Sequence, residues 1–185
     1  MTALDELFCG DDTRAAAAAT LVTAEDLPAL EAAIAGADPD MRWWAVAGLA
    51  HVPGEAATRL LLKAADDLDS GLRAAALHAL GQRDGPEAVP ALLLAMGDAS
   101  DYLARLATDS LVRTAPHAVP DLIAALQRDP HPRVRANAAR ALALIGDPAA
   151  IPALFGALED DSVLVQHWAD EGLERMGVGQ IYFKP

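Results

Sequence analysis

The sequence repeats itself every 31 residues, and this repeat restricts the possible folds more than any other feature of the chain. In five successive segments an apolar residue is followed by alanine four positions later and by leucine eight positions later. Offsets of 0, 4 and 8 lie on one face of an α-helix. The sequence therefore predicts one helix per segment, which we name the A helix. Its three columns are Met41, Leu72, Leu103, Val134 and Val165; Ala45, Ala76, Ala107, Ala138 and Ala169; and Leu49, Leu80, Leu111, Leu142 and Leu173.

A fourth column of the A helix contains only small residues. It follows the first apolar residue by seven positions and therefore belongs to the same helix face. Together with the abundant alanine and leucine of the chain, it indicates a core of closely packed helices. The column consists of Gly48, Ala79, Ser110, Ala141 and Gly172.

A second helix, the B helix, is predicted between successive A helices. It has a leucine column followed three positions later by alanine, and it often begins with proline, which is tolerated in the first turn of a helix. The leucines are Leu30, Leu61, Leu92, Leu122 and Leu154, and the prolines are Pro28, Pro90, Pro120 and Pro152. One A–B pair cannot bury its own apolar face, so the pairs are expected to stack on one another.

The fold predicted from these columns is all-α: a right-handed α-solenoid of about five to six helix pairs, with six A helices and five B helices. We predict a single domain over residues 1–185. Within it, residues 12–36 form an atypical N-terminal capping repeat, 38–160 form four regular repeats, and 161–176 form a last A helix. Residues 177–185 leave the helical pattern, and the alternation of Ile181 and Phe183 with polar neighbours suggests a short extended tail.

Composition narrows the classes of partner. The formal net charge is −13, from 27 acidic and 14 basic residues, which argues against a nucleic-acid backbone and against an anionic membrane surface as the partner. The single cysteine, Cys9, excludes an internal disulfide and fits a reducing compartment. The acidic N-terminus has no apolar signal-peptide core, and no apolar run is long enough to span a bilayer. A cytoplasmic location is expected.

The most regular stretch of the repeat resembles the HEAT repeat, and more narrowly the short HEAT-like repeats associated with phycobilin lyases. The residues that carry the resemblance run from "HPRVRANAARALALIGDPAAIPALFGALED": Pro132, Val134, Arg135, Ala138, Ala141, Leu142, Ile145, Gly146, Asp147, Pro148, Ala150, Ile151, Pro152, Leu154 and Leu158. The resemblance covers about residues 12 to 176. It implies an α-solenoid and a structural ladder in which an arginine at the start of each A helix pairs between repeats. Arg42, Arg73 and Arg135 occupy that position, whereas Ala104 and Gln166 interrupt it, with Arg105 beside the first gap.

A search for catalytic, cofactor-binding or metal-binding residues yields none. The HEAT-like di-iron hydroxylases use repeated His-Glu pairs, but none of the five histidines of this chain is followed by glutamate. HEAT-like DNA glycosylases use a basic face, which the acidic composition disfavours. The resemblance to bilin lyase subunits would give Cys9 a transient role in tetrapyrrole binding. The alternative, which we favour, is a small structural thiol, because nothing basic flanks Cys9 to make it reactive.

The expected partner surface is the outward strip of the B helices, one and four positions after the proline column. This strip is small and apolar with few charges, which suits a docked helix or extended segment, although small residues also permit tight curvature. The candidate partner-binding residues are Leu60, Lys63, Ala91, Leu94, Asp121 and Ala124, and Ala29, Ala32, Ala153 and Gly156 occupy equivalent positions.

Trp43 is a further candidate, as an exposed interface anchor or as a packing residue against the N-terminal cap. Trp44 and Trp168 share a different A-helix column, which is expected to face the core.

Three hypotheses follow for function. The first is a non-catalytic scaffold or adaptor that binds a protein along its concave face, with acidic rim residues attracting basic partners. The second is an accessory or chaperone subunit of a bilin lyase-like enzyme acting on a tetrapyrrole. The third is an assembly module that self-associates through its ends, using the incomplete last pair and the tail.

Overall fold

The computed structural model describes residues 2–83 and 85–178, and within these residues it contains twelve α-helices and no strand. A short first helix, α1 (Ala3–Leu7), precedes the repeats. The A helices are α2 (Asp12–Ala19), α4 (Pro39–Leu49), α6 (Ser70–Leu80), α8 (Asp101–Arg113), α10 (Pro132–Ile145) and α12 (Val163–Arg175). The B helices are α3 (Leu27–Ile34), α5 (Glu55–Ala64), α7 (Val89–Ala95), α9 (Ala115–Arg128) and α11 (Ile151–Ala157). Short 3-10 turns, Ala24–Asp26 and Pro148–Ala150, precede α3 and α11.

The predicted all-α class and the predicted order of six A helices and five B helices are confirmed. The alanine and leucine columns of the A helices are buried in every repeat, and so are the small-residue column and the leucine column of the B helices. Helix α1 was not predicted. The predicted extended tail falls almost entirely outside the described residues, which end at Val178.

The helices gather in two compact units that divide within α7, between Ala91 and Leu92. We name them the N-terminal unit and the C-terminal unit. The prediction of a single domain over residues 1–185 stays a prediction.

Each A helix from α6 onward begins at a turn built around an aspartate that recurs every 31 residues. The carboxylate of this aspartate accepts a hydrogen bond from the backbone amide two residues later, at 2.7 to 2.9 Å. The residue that donates this bond is the N-cap of the helix, so the turn fixes the point at which the helix starts. The four aspartates are Asp67, Asp98, Asp129 and Asp160.

In the N-terminal unit, α4 packs against α1, α2, α3, α5 and α6. Leu7, Leu30 and Leu49 are completely buried there. A Cβ atom on Gly48 would lie 3.1 Å from the Val22 side chain and 3.5 Å from that of Leu7. The glycine therefore makes room for the capping residues, and α1 supplies the leucine that covers the open end of the repeat.

The C-terminal end of α4 is held by Arg83. One Nη atom of Arg83 donates hydrogen bonds to the carbonyl oxygens of Leu49 and Val52, both at 2.7 Å. These carbonyls belong to the end of a helix and the turn after it, where oxygens lack intrahelical donors. Burial lowers the pKa of the Arg83 guanidinium.

Arg83→Met is expected to destabilise the protein by about 1–2 kcal/mol, because it keeps the aliphatic stem and removes the donor from two carbonyls. The measurement is urea unfolding followed by circular dichroism. Arg59→Met is the control, because Arg59 forms an exposed ion pair with Glu55 on the same helix. This substitution should change stability by less than about 0.5 kcal/mol. Equal effects of the two substitutions would contradict the role assigned to Arg83.

In the C-terminal unit, α10 is the central helix and packs against α8, α9 and α12. Its alanines Ala138, Ala139 and Ala141 are completely buried. Alanine leaves short distances between helix axes, so α10 can contact three neighbours closely. Helix α12 also packs against α11, which completes the last repeat without a further B helix among the described residues.

Candidate functional site

The outward strip of the B helices contains exposed, half-buried and buried residues in the structure. The leucine columns point into the two cores, so positions two residues after those leucines face outward. Leu94 is the most exposed apolar member, with 79% of its surface accessible. Lys63 and Asp121 are exposed, and Leu60, Ala91 and Ala124 are half-buried. Ala153 differs from the expectation, because it is buried at the floor of a cleft.

The N-terminal unit places two of the candidate residues, Leu60 and Lys63, in one shallow cleft. The cleft lies between α3 and α5 and has a volume of about 230 Å³. Arg42 borders it and donates from Nε to the Ile34 carbonyl at 2.8 Å and from Nη2 to the Asp67 carboxylate. The floor is therefore apolar, and one edge carries an ion pair.

The C-terminal unit has a larger cleft between α9 and α11, with a volume of about 480 Å³. Small and apolar residues of the two B helices form one wall, and the Arg135 side chain and three aspartates form the other. The lining residues are Leu126, Gln127, Arg128, Asp129, Arg135, Ala153, Gly156, Ala157, Asp160 and Asp161. Asp121 and Ala124 lie on α9 but do not line this cleft.

Arg135 is the centre of a hydrogen-bond network beside this cleft. Its Nε and Nη2 atoms donate to the two carboxylate oxygens of Asp160 at 2.8 and 2.9 Å, and Nη2 also contacts Asp161. Its Nη1 atom donates to the Asp129 carbonyl at 3.1 Å. The hydrogen bonds between the two side chains, together with their opposite charges, lower the pKa of Asp160 and raise the pKa of Arg135. Such a bidentate pair holds the guanidinium in one orientation.

The arginine ladder implied by the resemblance is present in part, with one inter-repeat ion pair in each unit. The third arginine, Arg73, donates from Nη1 to the Asp67 carbonyl at 2.9 Å. Arg42 and Arg135 each pair with the aspartate 25 residues later, Asp67 and Asp160. Gln166 replaces the arginine at the last position and donates from Nε2 to the Asp160 carbonyl at 2.6 Å. Ala104 leaves the third position without a side-chain donor, and Arg105 lies in a different cleft, formed by A helices.

The structure does not bring Trp43 to the B-helix strip. Trp43 lies on α4, an A helix, is 43% exposed, and meets Trp44 edge to face with ring centroids 4.8 Å apart. Every member of the Trp44 column is half-buried, which meets only part of the expectation that this column faces the core. The column lies at the margin of the helix face, where alanine and tryptophan are both accommodated.

The described residues contain no group of three or more His, Cys, Asp or Glu side chains that could hold a metal ion. Cys9 is exposed, and its Sγ lies 3.8 Å from the Asp11 carbonyl oxygen. No helix in residues 2–83 or 85–178 combines the length and apolar character that crossing a membrane requires.

Sequence reasoning missed a third cleft, formed by the A helices α8, α10 and α12 in the C-terminal unit, which we name the A-helix cleft. Its volume is about 590 Å³, larger than either cleft of the B helices. It contains three arginines that belong to different columns of the repeat, so no single column revealed them. The lining residues are Asp101, Ala104, Arg105, Arg133, Ala136, Asn137, Arg140, Leu164 and Trp168.

The polar contacts of the A-helix cleft are specific. Arg133 pairs with Asp101 at 3.0 Å, and Arg140 pairs with Asp109 at 2.8 Å. The Arg140 guanidinium carbon lies 5.9 Å from the centre of the Trp168 ring, within the range of a cation–π contact. Asn137 donates from Nδ2 to the Met96 carbonyl at 3.1 Å, which anchors the middle of α10.

Solved structures that resemble this chain are helical-repeat proteins. The Escherichia coli protein YibA superposes with a TM-score of 0.60 at 19% identity, over 97% of this chain and 71% of that one. Human deoxyhypusine hydroxylase superposes with a TM-score of 0.54 at 22% identity, over 95% of this chain and 72% of that one. A chain of the complex of CpcE and CpcF of phycocyanin lyase from Nostoc sp. PCC7120 superposes with a TM-score of 0.52 at 24% identity. The match covers 84% of this chain and 66% of that one. These likenesses support the predicted α-solenoid class.

No curated protein sequence matches the chain. The family model for HEAT repeats matches residues 27–112 and 119–179, which is most of the sequence. The match includes all or part of every helix from α3 to α12. The chain therefore belongs to the HEAT-repeat family.

Proposed function

We propose that this protein is a non-catalytic interaction module that binds a segment of a partner protein along the outward strip of its B helices. One observation carries the proposal: Leu94 is 79% exposed on α7, where the other strip position is the small residue Ala91. An exposed leucine among small residues contributes a hydrophobic anchor at the centre of a contact.

The residues of the strip have the chemistry to contact a helical or extended segment. Leu60 with Lys63 in the N-terminal unit, and Leu94 with Ala124 in the C-terminal unit, offer apolar contacts flanked by isolated charges. The excess of 27 acidic over 14 basic residues would attract a basic segment and raise its association rate. Repeat proteins bind extended ligands because successive repeats present the same position at regular intervals.

Leu94→Asp is expected to weaken partner binding at least about tenfold, because it places a charge where an apolar side chain of the partner would be buried. The partner is first captured from host lysate on the wild-type protein and identified by mass spectrometry. Its affinity for the purified wild-type and variant proteins is then measured by calorimetry.

Leu68→Asp is the matched control, because Leu68 is fully exposed in the loop between α5 and α6. It introduces the same charge away from the strip, so its affinity should equal that of the wild type. If both variants bind as tightly as the wild type, the B-helix strip is not the binding surface. Leu94 is preferred to Leu60 for this test because Leu60 is half-buried and its replacement would also affect packing.

A bilin lyase accessory subunit is the second candidate. It is suggested by the similarity of fold to CpcE and CpcF of phycocyanin lyase, and by the exposure of Cys9. Visible absorbance of the protein mixed with a linear tetrapyrrole tests this function. A spectral change that persists in Cys9→Ser would support non-covalent binding, and no change in the wild type would exclude the candidate.

A further inference from the structure

We propose that the A-helix cleft is a second docking surface, and that it binds an acidic segment of a partner protein that combines carboxylates with an apolar side chain. The surface is separate from the B-helix strip, because all its lining residues belong to α8, α10 and α12. The proposal therefore does not depend on the function proposed for the strip.

The charge of the cleft is opposite to that of the chain. The chain carries a net charge of −13 and only 14 basic residues, yet three arginines line this one cleft. Among the described residues, Arg133 pairs with Asp101 and Arg140 with Asp109, so one positive charge of the cleft, that of Arg105, is left without a paired carboxylate. A concentration of guanidinium groups on an acidic protein creates a local field that attracts anions. The cleft is therefore complementary in charge to an acidic ligand, whereas the chain as a whole, being acidic, would repel one.

Arg105 is the arginine of the cleft that is most available to a ligand. It is exposed on α8, and it makes no hydrogen bond or ion pair with any residue in the part of the chain that the structure describes. Arginine at this position is not required by the repeat, because the same column holds Ala74 and Ala136. A planar guanidinium with all its donors available is suited to bidentate pairing with a carboxylate.

Arg133 offers a second position for a carboxylate. Its Nη1 atom is fixed by the Asp98 carbonyl at 2.8 Å, while Nη2 points to Asp101 at 3.0 Å. Asp101 is 91% exposed, so this ion pair at the rim adds little stability and can be exchanged at small cost. A carboxylate of the partner can therefore replace that of Asp101 on an arginine that is already oriented.

The apolar part of the ligand is expected to contact Trp168 and Leu164. Leu164 is 54% exposed, and Trp168 is half-buried beneath Arg140, which the Asp109 carboxylate holds in place. A tryptophan face beside an exposed leucine provides contact area for an aromatic or aliphatic side chain. Arg105 and Arg133 line the same cleft as Leu164 and Trp168, so the favoured ligand combines acidic residues with one apolar residue.

The probe is a short fluorescein-labelled peptide in which aspartates and glutamates flank one phenylalanine, compared with the same peptide carrying asparagines and glutamines. Fluorescence anisotropy at low ionic strength measures binding to the full chain. We expect the acidic peptide to bind and the amide peptide to bind at least about tenfold more weakly, because only the carboxylates pair with Arg105 and Arg133. Added salt should weaken binding of the acidic peptide.

Arg105→Glu is expected to reduce binding of the acidic peptide at least about tenfold, because it replaces an attraction by a repulsion. Arg59→Glu is the matched control, because it makes the same charge change at an exposed helical position of the N-terminal unit. This variant should bind the acidic peptide at least about tenfold more tightly than Arg105→Glu does. If circular dichroism shows that Arg105→Glu perturbs folding, Arg105→Gln is used instead, because it removes the charge without introducing a negative one.

Equal binding of the acidic and amide peptides, or equal binding by Arg105→Glu and Arg59→Glu, would overturn the proposal. Preference for a single-stranded oligonucleotide over the acidic peptide would also overturn it, because the ligand would then be a nucleic acid. Leu94→Asp should bind the acidic peptide as the wild type does, so failure of this surface is distinguishable from failure of the B-helix strip.

Discussion

Replacing Arg135 with alanine is expected to lower the free energy of unfolding by about 3 kcal/mol, the largest loss for any charged residue described above. The side chains of Arg135 and Asp160 are each only 12% exposed. Removing the guanidinium deletes its hydrogen bonds and leaves the Asp160 carboxylate without its cation. The expected loss lies above that of a surface pair, because the remaining charge is poorly solvated. Chemical denaturation at neutral pH measures it.

Arg175→Ala is the matched control. Arg175 also donates from Nε to a carboxylate, that of Glu171 at 2.9 Å, but the two side chains are 49% and 38% exposed. Its removal should cost less than about 0.5 kcal/mol. A loss in Arg135→Ala no greater than in Arg175→Ala would show that the network around Asp160 does not stabilise the fold.

The effect of Arg135→Ala should depend on pH in a defined direction. Pairing with Arg135 lowers the pKa of Asp160 in the folded protein. A carboxylate with a lowered folded pKa contributes stability that is complete above its unfolded pKa, about 3.9, and is lost as the pH falls through the folded value. The difference between wild type and Arg135→Ala should therefore be full at neutral pH and shrink in acid below about pH 4. A difference that is constant down to about pH 2 would contradict the ion pair.

The sequence predicted what the repeat makes periodic. The helix order and the buried columns followed from residues that recur at the same offset, such as Leu49 and Leu80, because each occupies the same environment in its own repeat. The ion pairs of Arg42 and Arg135 with their aspartates were implied by the resemblance to the HEAT repeat.

The sequence did not predict features at positions where the repeat is interrupted, or sites that combine residues of different columns. Helix α1 has no counterpart in the repeat, and Leu7 is buried only because a terminal repeat must be covered. The A-helix cleft combines Arg105, Arg133 and Arg140 from three different columns, and only the packing of three helices brings them together. Positions at the edge of a helix face, such as Trp44, depend on the distance between neighbouring helices, which the periodic pattern does not contain.

Gly172→Leu is expected to destabilise the protein by about 3 kcal/mol, because α12 packs against α10 and α11 through this glycine. A Cβ atom at this position would lie 3.0 Å from the Cβ atom of Ala143 and 3.1 Å from a methyl group of Leu154. It would also lie 3.2 Å from the Cα atom of Ala143, which is backbone and cannot rotate away. The remaining carbons of leucine require the helices to separate, and thermal unfolding measures the cost.

Gly156→Ala tests whether this effect comes from packing or from glycine itself. Gly156 also lies within a helix, but a Cβ atom there would meet nothing within 4 Å. Alanine favours the helix more than glycine does, so this substitution should raise stability by up to about 1 kcal/mol. Replacing Gly172 also increases helix propensity, but there the cost of steric overlap with α10 and α11 is larger than this gain. Opposite signs at the two glycines are therefore expected, and a stabilising Gly172→Leu would show that α12 does not pack closely on Ala143.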